Sequence, residues 1–191
     1  MDNQIKEEVQ KDITAGVNIR KFTLAPTVEE DSPEVDALRA YCRGGDISLI
    51  QEYLDNGTIT EVYETHNIIV TAGFAQLAMG MTYERTTAPA INYGCLGTGT
   101  SPVPVAGSTQ LVNEVYRKLA SSRSHNGNVV YIDFFFAAAD CNGTYTEFGN
   151  VIDGAAGANT GSLFSFIATG GWVKSSSQSL FVSCQYTLNN A

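Results

Sequence analysis

Apolar positions recur with a helical period early in the chain and crowd into short β-rich runs later. In residues 32–45, Val35, Leu38 and Cys42 share one helical face. Ser32 stands at the N-cap position, Pro33 suits the first helical position, and Gly44 and Gly45 stop the helix. Residues 46–57 repeat the pattern, with Asp46 as N-cap, a stripe of Ile47, Ile50 and Leu54, and Gly57 as the stop. Together they predict a short helical hairpin. Helical spacing returns in residues 71–81 through Phe74, Leu77, Ala78 and Met81.

The remaining apolar runs read as strands: 67–70, 91–97, 128–140, 144–152, 162–169 and 179–188. The segment 109–120 starts as a helix or turn. The run 128–140 is apolar on both alternating sets, which predicts burial on both faces, either in a sandwich core or in a subunit interface. Tyr131, Phe134, Phe135 and Phe136 are its candidate oligomer-interface residues. Asp140-Cys141-Asn142-Gly143 predicts a hairpin turn that pairs 144–152 back onto this run. The fold class expected is mainly β, an antiparallel β-sandwich preceded by a helical hairpin and an extended N-terminal arm. The boundaries follow composition: an acidic arm over 1–31, the hairpin and linker over 32–66, and the sandwich over 67–191.

Charge sharpens that division. Residues 1–66 hold six of the eleven Lys and Arg but fourteen of the twenty Asp and Glu. A basic nucleic-acid face is disfavoured, whereas an acidic arm suits a basic patch on a partner protein. No run of about eighteen apolar residues occurs, so no transmembrane helix is expected. The polar start of the chain resembles neither a signal nor a transit peptide, which predicts synthesis in a cytoplasm. Cys42, Cys95, Cys141 and Cys184 are widely spaced and predict free, mostly buried thiols.

The glycine-rich stretch 91–104, INYGCLGTGTSPVP, is the first candidate for chemistry. Gly94 and Gly99 have P-loop spacing, but Thr100 stands where the lysine belongs. Pro102 and Pro104 would break the helix that a dinucleotide fingerprint needs. His66 and His125 have no metal-ligand spacing, and 140–147 lacks the spacing of a calcium loop. No nucleophile elbow occurs, and adjacent Ser124 and His125 do not align as nucleophile and base. No catalytic, cofactor-binding or metal residue is predicted, and the expected function is non-enzymatic. Glu114, Arg117 and Glu147 are instead candidates for an ion pair or hydrogen-bonded network that fixes the loop against the sheet.

The order of motifs resembles small structural proteins of tailed bacteriophages, of the tail-fibre and collar-fibre kind. It runs through Asn67, Gly73, Leu77 and Ala78, then Leu96, Gly97, Thr98, Gly99, Thr100 and Pro102. Thr109, Leu111, Glu114 and Arg117 follow, then Glu147 and Gly149, and Lys174 before the final strand. The resemblance covers 67–188 and implies a virion component without catalytic residues or cofactor, often trimeric. Its partners would be other virion proteins, met through the N-terminal third. The expected place is a fibre, collar or baseplate attachment; capsid decoration is the nearest alternative. A lectin-like module is a further class, in which exposed tyrosines and Trp172 near the loop 153–161 stack on a host glycan. The simpler role for Trp172 is packing in the core.

Overall fold

The computed structural model describes residues 17–82, 84 and 87–188. The described elements run β1 (Val17–Leu24), α1 (Pro33–Cys42), α2 (Ser48–Asp55), β2 (Ile59–Ile69), α3 (Thr71–Met81), β3 (Ile91–Gly97) and β4 (Glu114–Leu119). Then follow β5 (Ser122–Asn126), β6 (Val129–Phe136), β7 (Gly143–Ile152), β8 (Ser162–Lys174) and β9 (Ser179–Thr187). All the strands join in the order β4-β3-β7-β8-β2-β1-β9-β6-β5, with every neighbour antiparallel.

The mainly β, antiparallel expectation holds, but the strands form one sheet curled into a half-barrel. Strand β2 is the reason. It is 11 residues long, pairs with β1 along most of its length, and reaches β8 only through Ile68 and Ile69. It thereby carries the sheet from one flank to the other. The flanks face each other across a shared apolar core. Phe134 meets Phe148 edge-on at 6.0 Å between ring centroids, and Phe164 meets Tyr186 at 5.1 Å.

A second core lies on the outer face. Phe22, Phe181 and Phe135 are neighbours across β1, β9 and β6, and Val35 and Leu38 of α1 and Ile50 of α2 cover them. Strand β6 is therefore apolar on both faces for an internal reason. Ile132, Phe134 and Phe136 point to the opposite flank, and Phe135 points to the helices. The four interface candidates are corrected accordingly. Tyr131, Phe134, Phe135 and Phe136 are only 6%, 0%, 2% and 0% exposed within the single chain. They are core residues, not surface offered to a second subunit.

Three further expectations change. Residues 17–24 do not extend as an arm; they form β1, inside the sheet between β2 and β9, and the boundary drawn at 67 falls within β2. Residues 1–16 of the expected arm lie outside the described residues. Asp140-Cys141-Asn142-Gly143 does not close a hairpin, because β6 pairs with β5 and β9 while β7 pairs with β3 and β8. The turn instead crosses between flanks. Helix α3 forms as expected, but it faces the sheet through Gly73, where a Cβ would stand 2.6 Å from the Phe164 carbonyl oxygen. That rotation leaves Phe74 and Met81 48% and 77% exposed.

Candidate functional site

The glycine-rich stretch ends at a buried carboxylate. Glu147, on β7, accepts backbone hydrogen bonds from Gly99 (2.6 Å), Val112 (2.6 Å) and Asn113 (3.0 Å). Its side chain has no solvent contact. A carboxylate with three backbone donors is satisfied and fixed in place. The glycines make room for it. A Cβ on Gly99 would collide with Glu147 Oε1 and stand 2.6 Å from Val112 Cβ; one on Gly97 would stand 2.7 Å from the same oxygen. Neither glycine has a positive φ, so close approach, not turn geometry, requires them. The Asn113 amide, donating to Thr98 Oγ1 at 2.8 Å, completes the corner.

Glu114 and Arg117 do pair, but on a strand. Arg117 Nε donates to Glu114 Oε1 at 2.6 Å and its NH2 nitrogen to Oε2 at 2.8 Å. Residues three apart on a regular strand point to opposite faces. Here the β3–β4 register shifts between Leu96 and Gly97, leaving Val115 as the extra residue of a bulge. The bulge brings Glu114 and Arg117 to one side. Arg117 then donates to the Ala155 carbonyl and Thr160 Oγ1, and Glu114 accepts from the Asn159 backbone. The pair thus ties down the loop 153–161. Lys174 has a comparable role: its buried ammonium donates to the Ala138, Asp140 and Ser175 carbonyls and holds the crossover.

A polar cleft of about 450 Å³ opens between β2 and β8. It exists because the two strands pair only at Ile68 and Ile69, and because β8 bulges away. Tyr145 pairs with Trp172 and Glu147 with Ala168, so Thr169, Gly170 and Gly171 face Thr146 alone. Gly170 and Gly171 have φ of 72° and 104°, a conformation only glycine adopts freely. Thr169 Oγ1 fastens the bulge by donating to the Tyr145 carbonyl and accepting from the Gly171 N–H. The opposite wall carries Lys21, Thr23, Glu61 and Tyr63. Lys21 Nζ and Thr23 Oγ1 both donate to Glu61 Oε2, and the hydrogen bond from Lys21 holds the Glu61 carboxyl below its ordinary pKa. Trp172 also lines the cleft, 3% exposed and packed against Phe148 and Tyr63. Its indole N–H is buried with no hydrogen-bond partner among the described residues. The core position expected as the simpler role for Trp172 is the observed one. It lies at the end of β8 remote from loop 153–161, so the sugar platform expected there is not formed.

An apolar groove of about 260 Å³ lies between α3 and the ends of β6, β7, β8 and β9, lined by Leu77, Ile91, Ile132, Ile152, Phe164 and Tyr186 among others. Other candidate chemistry is dispersed. Ser124 Oγ accepts from Arg43, and His66 Nδ1 meets Asn18 Oδ1 at 2.7 Å. Asp140 pairs with Lys118 at 2.7 Å, away from the backbone donors that hold Glu147. Among the described residues no three His, Cys, Asp or Glu side chains converge on a common metal position. The four cysteines are free thiols, and Cys42, Cys95 and Cys184 are buried. Burial pushes the Cys42 and Cys184 thiols up to about 12, which makes them poor nucleophiles.

Sequence reasoning singled out Glu114, Arg117 and Glu147 but missed the cleft. Its polar residues come from β1, β2 and β8, far apart in the chain, and the one local signal was the Gly170-Gly171 pair. Comparison with protein-family models, curated proteins and solved structures returns no match.

Proposed function

We propose that this chain is a non-enzymatic structural component of a tailed-phage virion, an oligomeric adaptor or appendage subunit of a fibre, collar or baseplate. One observation carries the reading. The residues of the phage-like motif order act together as scaffold: Glu147 holds the Gly99 loop, Glu114 and Arg117 hold the loop 153–161, Leu111 packs over Gly149, and Lys174 holds the crossover. Each of these polar groups is engaged in fixing backbone, which suits a rigid building block. The facing flanks support treating the half-barrel as a collapsed sandwich, with α1 and α2 as its appended helical hairpin.

The acid-rich N-terminal third supplies a docking face. Glu29, Asp31, Asp36, Glu52 and Asp55 are exposed on and beside α1 and α2 and suit a basic surface on a neighbouring virion protein. Self-association, expected as a trimer, would use other residues than β6. Val103, Val105, Val112, Val115 and Leu119 are all exposed, and the last two lie on β4, which pairs on one side only among the described residues.

Purified virions tested by mass spectrometry and by imaging of the labelled chain decide the reading. The chain is expected in the particle at the low copy number of a tail or neck part; a shell-like copy number makes it a decoration protein, and absence from the particle overturns the proposal. Light scattering is expected to give an oligomer that V115K with L119K converts to a folded monomer. A wild-type monomer at high concentration rejects the self-association.

A further inference from the structure

From the chemistry of its walls we infer that the cleft between β2 and β8 binds a neutral, polyhydroxylated ligand of mono- or disaccharide size. Its volume of about 450 Å³ falls within the range of small-molecule sites. Among the described residues, Lys21 and Glu61 are the only charged side chains in the lining, and they neutralise each other, so the walls select against a net charge on the ligand. Among the described residues, both donors that reach Glu61 end on Oε2, which leaves Oε1 to accept a ligand hydroxyl. Gln178 donates to the Val173 carbonyl, and its amide oxygen, which accepts from none of the described residues, is a second acceptor at the rim. Lys21 has three N–H donors and spends one on Glu61. Trp172 closes the inner wall of the cleft, with its indole N–H buried and without a partner among the described residues.

Paired donors and acceptors around an apolar wall are what a sugar requires, since each hydroxyl both donates and accepts. Half-buried Tyr63, edge-on to Trp172 at 6.0 Å, supplies that wall for the C–H face. The widened seam is built, not incidental, because Thr169 Oγ1 pins the Gly170-Gly171 bulge that opens it, donating to the Tyr145 carbonyl and accepting from the Gly171 and Trp172 N–H groups. This site does not rest on the virion reading, and it uses residues that the phage-like motif order does not include.

Trp172 is the only tryptophan, so its fluorescence reports on the cleft directly. The probes are glucose, galactose, mannose, N-acetylglucosamine, lactose and maltose, with glucuronate and glucose 6-phosphate as charged counterparts, followed by fluorescence and calorimetry. A saturable change with at least one neutral sugar is expected, with the charged counterparts at least about tenfold weaker. E61Q, which leaves Lys21 uncompensated, is expected to weaken the neutral sugar about tenfold and to strengthen glucuronate. Q178A, at the cleft rim, should weaken it less while leaving the thermal midpoint unchanged, which keeps the test valid if E61Q loses its fold. No saturable response to any neutral sugar, or tighter binding of a charged one by the wild type, overturns the inference.

Discussion

Glu147 shows how much one buried side chain can fix. Removing its carboxylate strands the N–H groups of Gly99, Val112 and Asn113, and each unmet buried donor costs about 1–3 kcal/mol. E147A is expected to lose at least about 3 kcal/mol in denaturant unfolding. E147Q, which keeps an oxygen but turns an N–H₂ toward donors, should fall between E147A and wild type. G99A should cost about 1–3 kcal/mol, because its methyl group meets Glu147 Oε1 and Val112. If E147A unfolds like the wild type, the corner is not held by this carboxylate. Glu147 was conspicuous in the sequence as a lone acid in an apolar strand. Its partners were not, because they are backbone groups 34–48 residues away that carry no side-chain signature. Glu114 and Arg117 were legible as a pair by spacing, although the bulge, not a helical turn, makes the spacing work.

At the scale of elements, α1 docks on the sheet by apolar packing and by one buried anion. Asp133, on the outer face of β6, accepts from Ser183 Oγ at 2.7 Å and from Arg43 at 2.9 Å, with Arg39 at 3.9 Å. Burial raises the Asp133 pKa above the usual aspartate value, against the lowering pull of Ser183 and Arg43. The two partners are unequal, since Asp133 is wholly buried while Arg43 is 25% exposed. R43A strands a buried charge and is expected to cost about 3 kcal/mol near neutral pH. D133N leaves cations that can turn to water and should cost less. The sign of the pH dependence follows from the raised pKa. The folded state holds the Asp133 proton more tightly than the unfolded chain, so this carboxyl favours folding at low pH, and that contribution fades as pH rises through its folded pKa. The deficit of R43A relative to wild type should therefore shrink as pH falls, in urea unfolding at a series of pH values. A deficit that grows on acidification contradicts the assignment. The doubly apolar pattern of β6 was readable along the chain, but what covers its outer face was not. The covering helices lie about ninety residues earlier, and neither their sequence nor that of β6 records the pairing.

For the whole molecule, the decisive strand is the one the sequence pattern hides. β1 carries Arg20 and Lys21 mid-run, so neither alternating set reads as apolar. Lys21 sits there because that end of the inner face lines the polar cleft, and Arg20 because it pairs with Glu64 across β2 on the outer face. Polar contacts in the middle of β1 thus mask its apolar periodicity, and the segment reads as an arm. Strands β3 and β6–β9 face drier surroundings, and their apolar runs were visible, while the more exposed β4 and β5 were not. The consequence is a clean test of architecture. Strand β1 pairs with β2 along one edge and with β9 along the other, and Ile19, Phe22 and Leu24 are wholly buried. An attachment arm over 1–31 would be dispensable for folding, whereas a central strand would not. A chain beginning at residue 32 is expected to lose its cooperative thermal transition and its β signal in circular dichroism, because β2 and β9 are left as two unpaired edges. I19A in the full chain grades the same effect and should cost about 2–5 kcal/mol for a buried aliphatic truncation. A folded, cooperative 32–191 fragment would show that the sheet closes without β1 and would return residues 17–31 to the role of an arm.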